Sequence, residues 1–167
     1  MQRYERTIPA PPGLGVDGVI SVPVGDDVEL DIRVESVVEG VLVSGTVTAT
    51  VTGECSRCLD PLSDLVTVDI TELYAYPDSA TDVSTDADEV SRVVDDLVDT
   101  EPVARDAMLL ALPQAPLCAE DCAGLCPECG RKRAEVGPDH RHESIDPRWA
   151  ALAQRRDWPG DIEEENE

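Results

Sequence analysis

The sequence predicts an α+β fold: an antiparallel β-meander or partly open barrel, one main helix, and a C-terminal module of the zinc-ribbon kind. Three observations predict it. Apolar and polar residues alternate over three stretches between residues 28 and 76. The period lengthens to that of a helix after residue 100. Cysteine then recurs in short-spaced pairs, followed by the chain's two histidines. Phe is absent from the 167 residues and aromatics make up 3%, so the core must be built from Val, Leu, Ile and Ala, a composition that favours packed strands.

The first strand covers residues 28–34, where Val28, Leu30, Ile32 and Val34 alternate with Glu29, Asp31 and Arg33. The second, residues 41–51, sets Val41, Val43, Gly45, Val47, Ala49 and Val51 on one face. In the third, residues 65–76, Val66, Val68, Ile70 and either Leu73 or Tyr74 continue the inward face. Glu39-Gly40 and the interval 53–64 separate these strands, as an antiparallel meander requires. Proline and acids mark residues 77–89 as a surface loop. Thr100 is placed to cap a helix with Pro102 in its first turn, Val103, Ala107, Leu110 and Ala111 recur at helical spacing, and Pro113 ends the run. A shorter helix is expected over 147–156, with Asp146 as its cap, Trp149 and Leu152 on one face, and Arg155 and Arg156 in the last turn. The chain therefore divides into a β-rich domain with its helix (1–112), a cysteine and histidine module with the short helix (113–156), and a disordered acidic tail (157–167).

The net charge is −23, which opposes general affinity for phosphates. The charge is uneven. Residues 78–106 hold ten acids against Arg92 and Arg105, whereas Arg131, Lys132, Arg133, Arg141, Arg148, Arg155 and Arg156 outnumber the acids of residues 126–156. No 18 apolar residues run together, and the opening MQRYERTIPAPPGLG has charges and prolines where a leader has an apolar stretch. The expectation is a soluble, cytoplasmic protein without membrane contact. In a reducing cytosol, six cysteines in short-spaced pairs favour metal ligation over disulfides.

Those pairs are Cys55-x2-Cys58, Cys118-x3-Cys122 and Cys126-x2-Cys129. A C-x2-C turn aims both sulfurs and nearby backbone N–H groups at one ion, which makes it half of a tetrahedral Zn²⁺ cage. Gly130 suits the left-handed backbone at the exit from such a turn. His140 and His142 stand two apart, so they face one side only on an extended or turning segment, which excludes the helical H-x3-5-H arrangement of DNA-reading fingers. Two Zn²⁺ sites follow: Cys126/Cys129/His140/His142, and Cys55/Cys58/Cys118/Cys122. A single all-thiolate site from Cys118, Cys122, Cys126 and Cys129 competes, but leaves Cys55, Cys58 and both histidines idle. In either arrangement protein fills every position, which makes the sites structural and leaves no place for a catalytic water.

ECSRCLDPL (54–62), ALPQAPLC (111–118), DCAGLCPECG (121–130) and IDPRWAAL (145–152) together resemble the bacterial YceD-like proteins, a cytoplasmic domain family, over most of the chain from about residue 41 to 152. The resemblance implies a role in the synthesis, processing or stability of large-subunit (23S) ribosomal RNA, together with metal binding. Relatives commonly place C-x-C where this chain has His140-Arg141-His142, which keeps two ligands at the same spacing.

Three function classes remain. The first is an accessory factor folded around zinc that meets large-subunit rRNA or a pre-ribosomal particle through Arg131, Lys132, Arg133, Arg141, Arg155 and Arg156. The second is an acidic chaperone or adaptor for a basic ribosomal protein, using Asp95, Asp96 and Asp99. The third is a thiol redox enzyme or Cys–His hydrolase. It is disfavoured because the residues after Cys129 form a poor helix and no nucleophile elbow, phosphate loop or carboxylate pair is present. The expectation is therefore no catalytic residues, no organic cofactor and no enzyme. Oligomeric state is not legible.

Overall fold

The computed structural model describes residues 1–16, 18–84, 90–142 and 148. Three antiparallel strands form the centre: β4 (Asp27–Ser36), β5 (Gly40–Glu54) and β6 (Pro61–Ala75), counted after β1 (Gln2–Pro9), β2 (Gly15–Val16) and β3 (Ile20–Ser21). The alternation sets their register. Leu30 stands opposite Val47 and Val47 opposite Val68, so inward residues line up across the sheet. Val28, Ile32, Val43, Val47, Ala49, Val51, Val68, Ile70 and Tyr74 are buried on that face. Of Leu73 and Tyr74, Tyr74 is the core residue, and its hydroxyl donates to the Asp99 carbonyl at 2.7 Å. Burial pushes the Tyr74 phenol up to about 12.

β1 pairs with β4 over its whole length, from Gln2 opposite Val34 to Pro9 opposite Asp27. No alternation announces it, because none of its eight residues is buried. β3 pairs with β5 at Thr52 and Gly53, beyond the end of β4, and β2 pairs with β3. β7 (Ser91–Arg92) runs parallel to the end of β6. The sheet is thus almost wholly antiparallel and, among the described residues, open, since β1 and β7 each pair with one neighbour.

The surface loop expected over 77–89 contains a short helix, α1 (Ala80–Ser84). Ser79 Oγ accepts from the Asp82 N–H at 3.2 Å, which supplies a cap that the acidic composition obscures. α2 (Glu101–Ala111) is the main helix. Two details differ from expectation. Thr100 makes no side-chain capping bond; Asp99 Oδ1 accepts from the Glu101 N–H at 3.0 Å instead. The buried face is Val103, Ala104, Ala107 and Met108, with Leu112 just past the end, while Leu110 is 88% exposed. Both phases fit a 3.6-residue period, and it is the unbranched, adaptable Met108 that takes the core position. α3 (Arg133–Val136) is one turn. The helix expected over 147–156 and the tail 157–167 lie outside the described residues, apart from Arg148.

Two compact units result, Met1–Gly124 and a second beginning at Leu125. Among the described residues no helix is long and apolar enough to cross a membrane.

Candidate metal centres

The first centre is built on the β5–β6 connection. The Cys55 N–H donates to the Asp60 carbonyl and the Leu59 N–H donates to the Cys55 carbonyl, both at 2.8 Å. Closing so tightly forces Leu59 into the left-handed region, φ 60°. Cys55 and Cys58 are buried within this turn. The other half arrives along residues 113–124. Buried Pro116 presents its carbonyl to the Ser56 N–H at 2.8 Å. Arg57 Nη1 donates to the carbonyls of Glu120 at 3.2 Å and Cys122 at 3.1 Å. Gly124 follows with φ 72°, where a Cβ would stand 3.0 Å from the Arg57 carbonyl oxygen.

These contacts bring Cys118 Sγ to 3.6 Å from Cys58 Sγ, and Cys122 Sγ to 3.8 Å from Cys55 Sγ. All six cysteines of the chain are free thiols. A tetrahedron with Zn–S bonds of about 2.3 Å has edges of about 3.8 Å, so the spacing fits an ion at the centre. The electrostatics fit as well. Backbone N–H groups of Cys118, Arg57 and Cys58 hold the Cys55 thiol down at about 6. At Cys58 the Asp60 N–H also pulls downward, but burial and the sulfurs of Cys55, Cys118 and Cys122 outweigh it and push that thiol up to about 12. The Cys58 thiol lowers Cys118, yet Cys122, Cys55 and burial leave it raised overall. One sulfur ionises readily and obstructs the next, a conflict that a divalent cation removes.

The second centre repeats the turn. The Cys126 N–H donates to the Arg131 carbonyl and the Gly130 N–H to the Cys126 carbonyl, both again at 2.8 Å. Gly130, at φ 67°, occupies the position of Leu59. An isolated bridge between Leu125 and Lys132 closes the ribbon. Backbone N–H groups of Cys129 and Glu128, then burial against them and the His140 ring with them, leave the Cys126 thiol lowered to about 6. Beyond α3 the chain turns at Gly137, whose carbonyl accepts from the His140 N–H at 3.3 Å.

His140 Nε2 then lies 3.3 Å from Cys129 Sγ and 2.8 Å from His142 Nε2, the two rings edge to face with centroids 4.5 Å apart. His142 Nδ1 is 3.8 Å from Glu128 Oε2, a carboxylate suited to orient the ring. Two imidazole nitrogens directed at each other beside two sulfurs form a convergent donor set.

The structure therefore brings together Cys55, Cys58, Cys118 and Cys122, and separately Cys126, Cys129, His140 and His142, with the donor atoms of each group within 4.8 Å of one another. Either group can hold a metal ion. Cys118 and Cys122 share their cluster with Cys55 and Cys58, and the competing all-thiolate grouping with Cys126 and Cys129 is not the one that forms among the described residues. Arg131, Arg133 and Arg141 are exposed and Lys132 is half-buried; Arg155 and Arg156 lie outside the described residues. Sequence reasoning missed Arg57, Pro116 and Gly124 as the pieces that assemble the first centre. The DCAGLC run contained the signal for Gly124, since a glycine two residues after one ligand pair and two before the next marks a turn.

The family described as "Large ribosomal RNA subunit accumulation protein YceD" matches residues 43–154. An uncharacterized protein of Mycobacterium tuberculosis is 53% identical over 154 residues, which are 92% of this chain and 73% of the relative. One of Mycobacterium leprae is 47% identical over 148 residues, 89% of this chain and 67% of the relative. The uncharacterized protein YlbN of Bacillus subtilis is 31% identical over 108 residues, 62% of this chain and 61% of that protein. No solved structure matches the chain significantly.

Proposed function

We propose, because the chain belongs to the YceD family, that it is a non-catalytic accessory factor in the synthesis, processing or stability of large-subunit (23S) ribosomal RNA, folded around two Zn²⁺ ions and acting in the cytoplasm. The observation that carries this reading is the family match together with two four-donor clusters of sulfur and imidazole. Sulfur and nitrogen at this spacing suit Zn²⁺ better than oxygen-seeking Mg²⁺ or Ca²⁺. Cys55, Cys58, Cys118 and Cys122 would hold one ion, and Cys126, Cys129, His140 and His142 the other. Bound there, zinc supplies cross-linking and charge neutralisation. Four protein donors fill a tetrahedral ion, so such sites serve the fold and offer no open position for a substrate.

Contact with rRNA or a pre-ribosomal particle is assigned to Arg131, Lys132, Arg133 and Arg141 of the second unit, and to Arg155 and Arg156 beyond the described residues. Exposed guanidinium groups suit phosphate recognition, and their contribution falls as salt rises. The test is a sucrose-gradient profile after deletion of the gene, with 23S rRNA quantified. Expected are a deficit of large subunits and of 23S rRNA, restored by the intact chain and not by Arg131→Glu/Arg133→Glu/Arg141→Glu. Normal 23S levels in the deletion strain would rule the reading out.

One observation favours the adaptor reading as a second possibility. Both cations of the acidic stretch are engaged internally, Arg92 with Asp82 at 2.6 Å and Arg105 with Glu101 and the carbonyls of Pro12 and Gly13, while Asp95 and Asp96 sit exposed at a hairpin tip. Neutralising Asp95, Asp96 and Asp99 would then weaken binding of a basic ribosomal protein and leave RNA affinity unchanged.

A further inference from the structure

β1 is a full-length strand with no buried residue. Backbone pairing to β4 and the fork of Arg3 on Asp31, at 2.7 and 2.6 Å, hold it in place. Among the described residues its other edge has no partner strand. An unpaired edge of eight residues is a template for another strand, and proteins that leave such an edge free usually shorten, bulge or charge it. β1 is charged, but with both signs: Arg3, Glu5 and Arg6, around Tyr4.

That pattern is self-complementary. In an isologous antiparallel pair, with the twofold axis perpendicular to the sheet, each residue meets one on the same face, so the axis must pass through a residue. Centred on Arg3 it opposes two arginines, on Glu5 two glutamates, and on Arg6 two arginines again. Centred on Tyr4, it sets Arg3 opposite Glu5 of the partner subunit and Glu5 opposite the partner's Arg3, twice satisfying unlike charges on the outer face. On the inner face Tyr4 meets the partner's Tyr4, and Gln2 meets Arg6 of the partner subunit. Pro9, with no N–H to offer, falls outside the seven paired residues.

We propose that β1 pairs antiparallel with β1 of a second copy of this chain, in the register centred on Tyr4, to join two sheets into one. Arg3 already lies 3.2 Å from Glu5 within one chain, and these side chains are 53% and 71% exposed, so both are available on the face where the partner's charges arrive. The surface is that of a dimer formed through one edge, concentration-dependent and weakened by salt.

The experiment is sedimentation equilibrium of the zinc-loaded full chain, with Glu5→Arg and the exchange R3E/E5R alongside. The intact chain should show the mass of two copies. Glu5→Arg sets two pairs of like charges opposite each other and should weaken dimerisation at least about tenfold. R3E/E5R restores unlike pairs between copies and keeps a cation opposite Asp31, so dimerisation should return. Equal thermal melts of the three chains at low concentration separate this from a folding defect. A monomer at every concentration tested overturns the proposal, as does a dimer indifferent to Glu5→Arg.

Discussion

Gly130 and Gly124 both hold left-handed backbone, but only Gly124 is also crowded. Gly130→Ala should cost about 1 kcal/mol from conformation alone. Gly124→Ala should cost more, because its Cβ also presses on the Arg57 carbonyl; urea unfolding of the zinc-loaded chain orders the two. The thiols supply a second prediction at this scale. Cys55, in the unit with its own apolar core, has a folded value near 6, below the ordinary 9.0 of a free thiol, so the unfolded chain binds more protons between these limits. Its contribution is present above pH 9 and is lost as pH falls through 6. Cys58, raised to about 12, acts oppositely and loses its contribution as pH climbs from 9 to 12. Metal-free protein should therefore be most resistant to urea near pH 9 and weaker on either side. The role of Gly130 was legible because the residue type matches the backbone; that of Leu59 was not, since nothing about leucine announces a positive φ. Arg57 was equally hidden, because its partners are carbonyls more than 60 residues away in sequence.

Among the elements, α2 offers the cleanest contrast. Met108 is fully buried, and Met108→Ala should destabilise by about 2–5 kcal/mol, whereas Leu110→Ala, on the exposed side, should change stability by less than about 0.5 kcal/mol. Thermal denaturation of the two variants decides the helix phase. The sequence indicated the helix and its end but set Leu110 inward, since four apolar residues can be phased two ways on one helix. β4, β5 and β6 were readable because one face of each is buried and the other wet. Their observed ends run past the expected ones, to Glu54 and Pro61, because backbone pairing continues after the alternation stops. β1 and α1 gave no signal, as pairing or a local cap holds them and apolar burial does not, and the two-residue strands are too short to show a period even where, as at Ile20 of β3, one residue is buried.

For the whole molecule, two copies of one turn, Cys55–Asp60 and Cys126–Arg131, serve different purposes in the two units. In the first, the turn gathers residues 113–124 onto the end of the sheet through Pro116 and Arg57. In the second, it folds a segment with little core of its own: among its described residues only Cys126 is a buried hydrophobic. With so little buried apolar area among those residues, the proposed ion would supply much of what holds them, since structural Zn²⁺ can contribute on the order of 10 kcal/mol of apparent folding free energy. The paired donors were legible from spacing and from the use of every cysteine and histidine. The first centre's architecture depended on contacts that no spacing rule reports.

Native mass spectrometry of the chain purified without added metal tests this account most directly. Two Zn²⁺ per chain are expected, falling to one in His140→Ala/His142→Ala and to one in Cys118→Ser/Cys122→Ser. A chain free of metal, or one whose zinc content is unchanged in both variants, contradicts it.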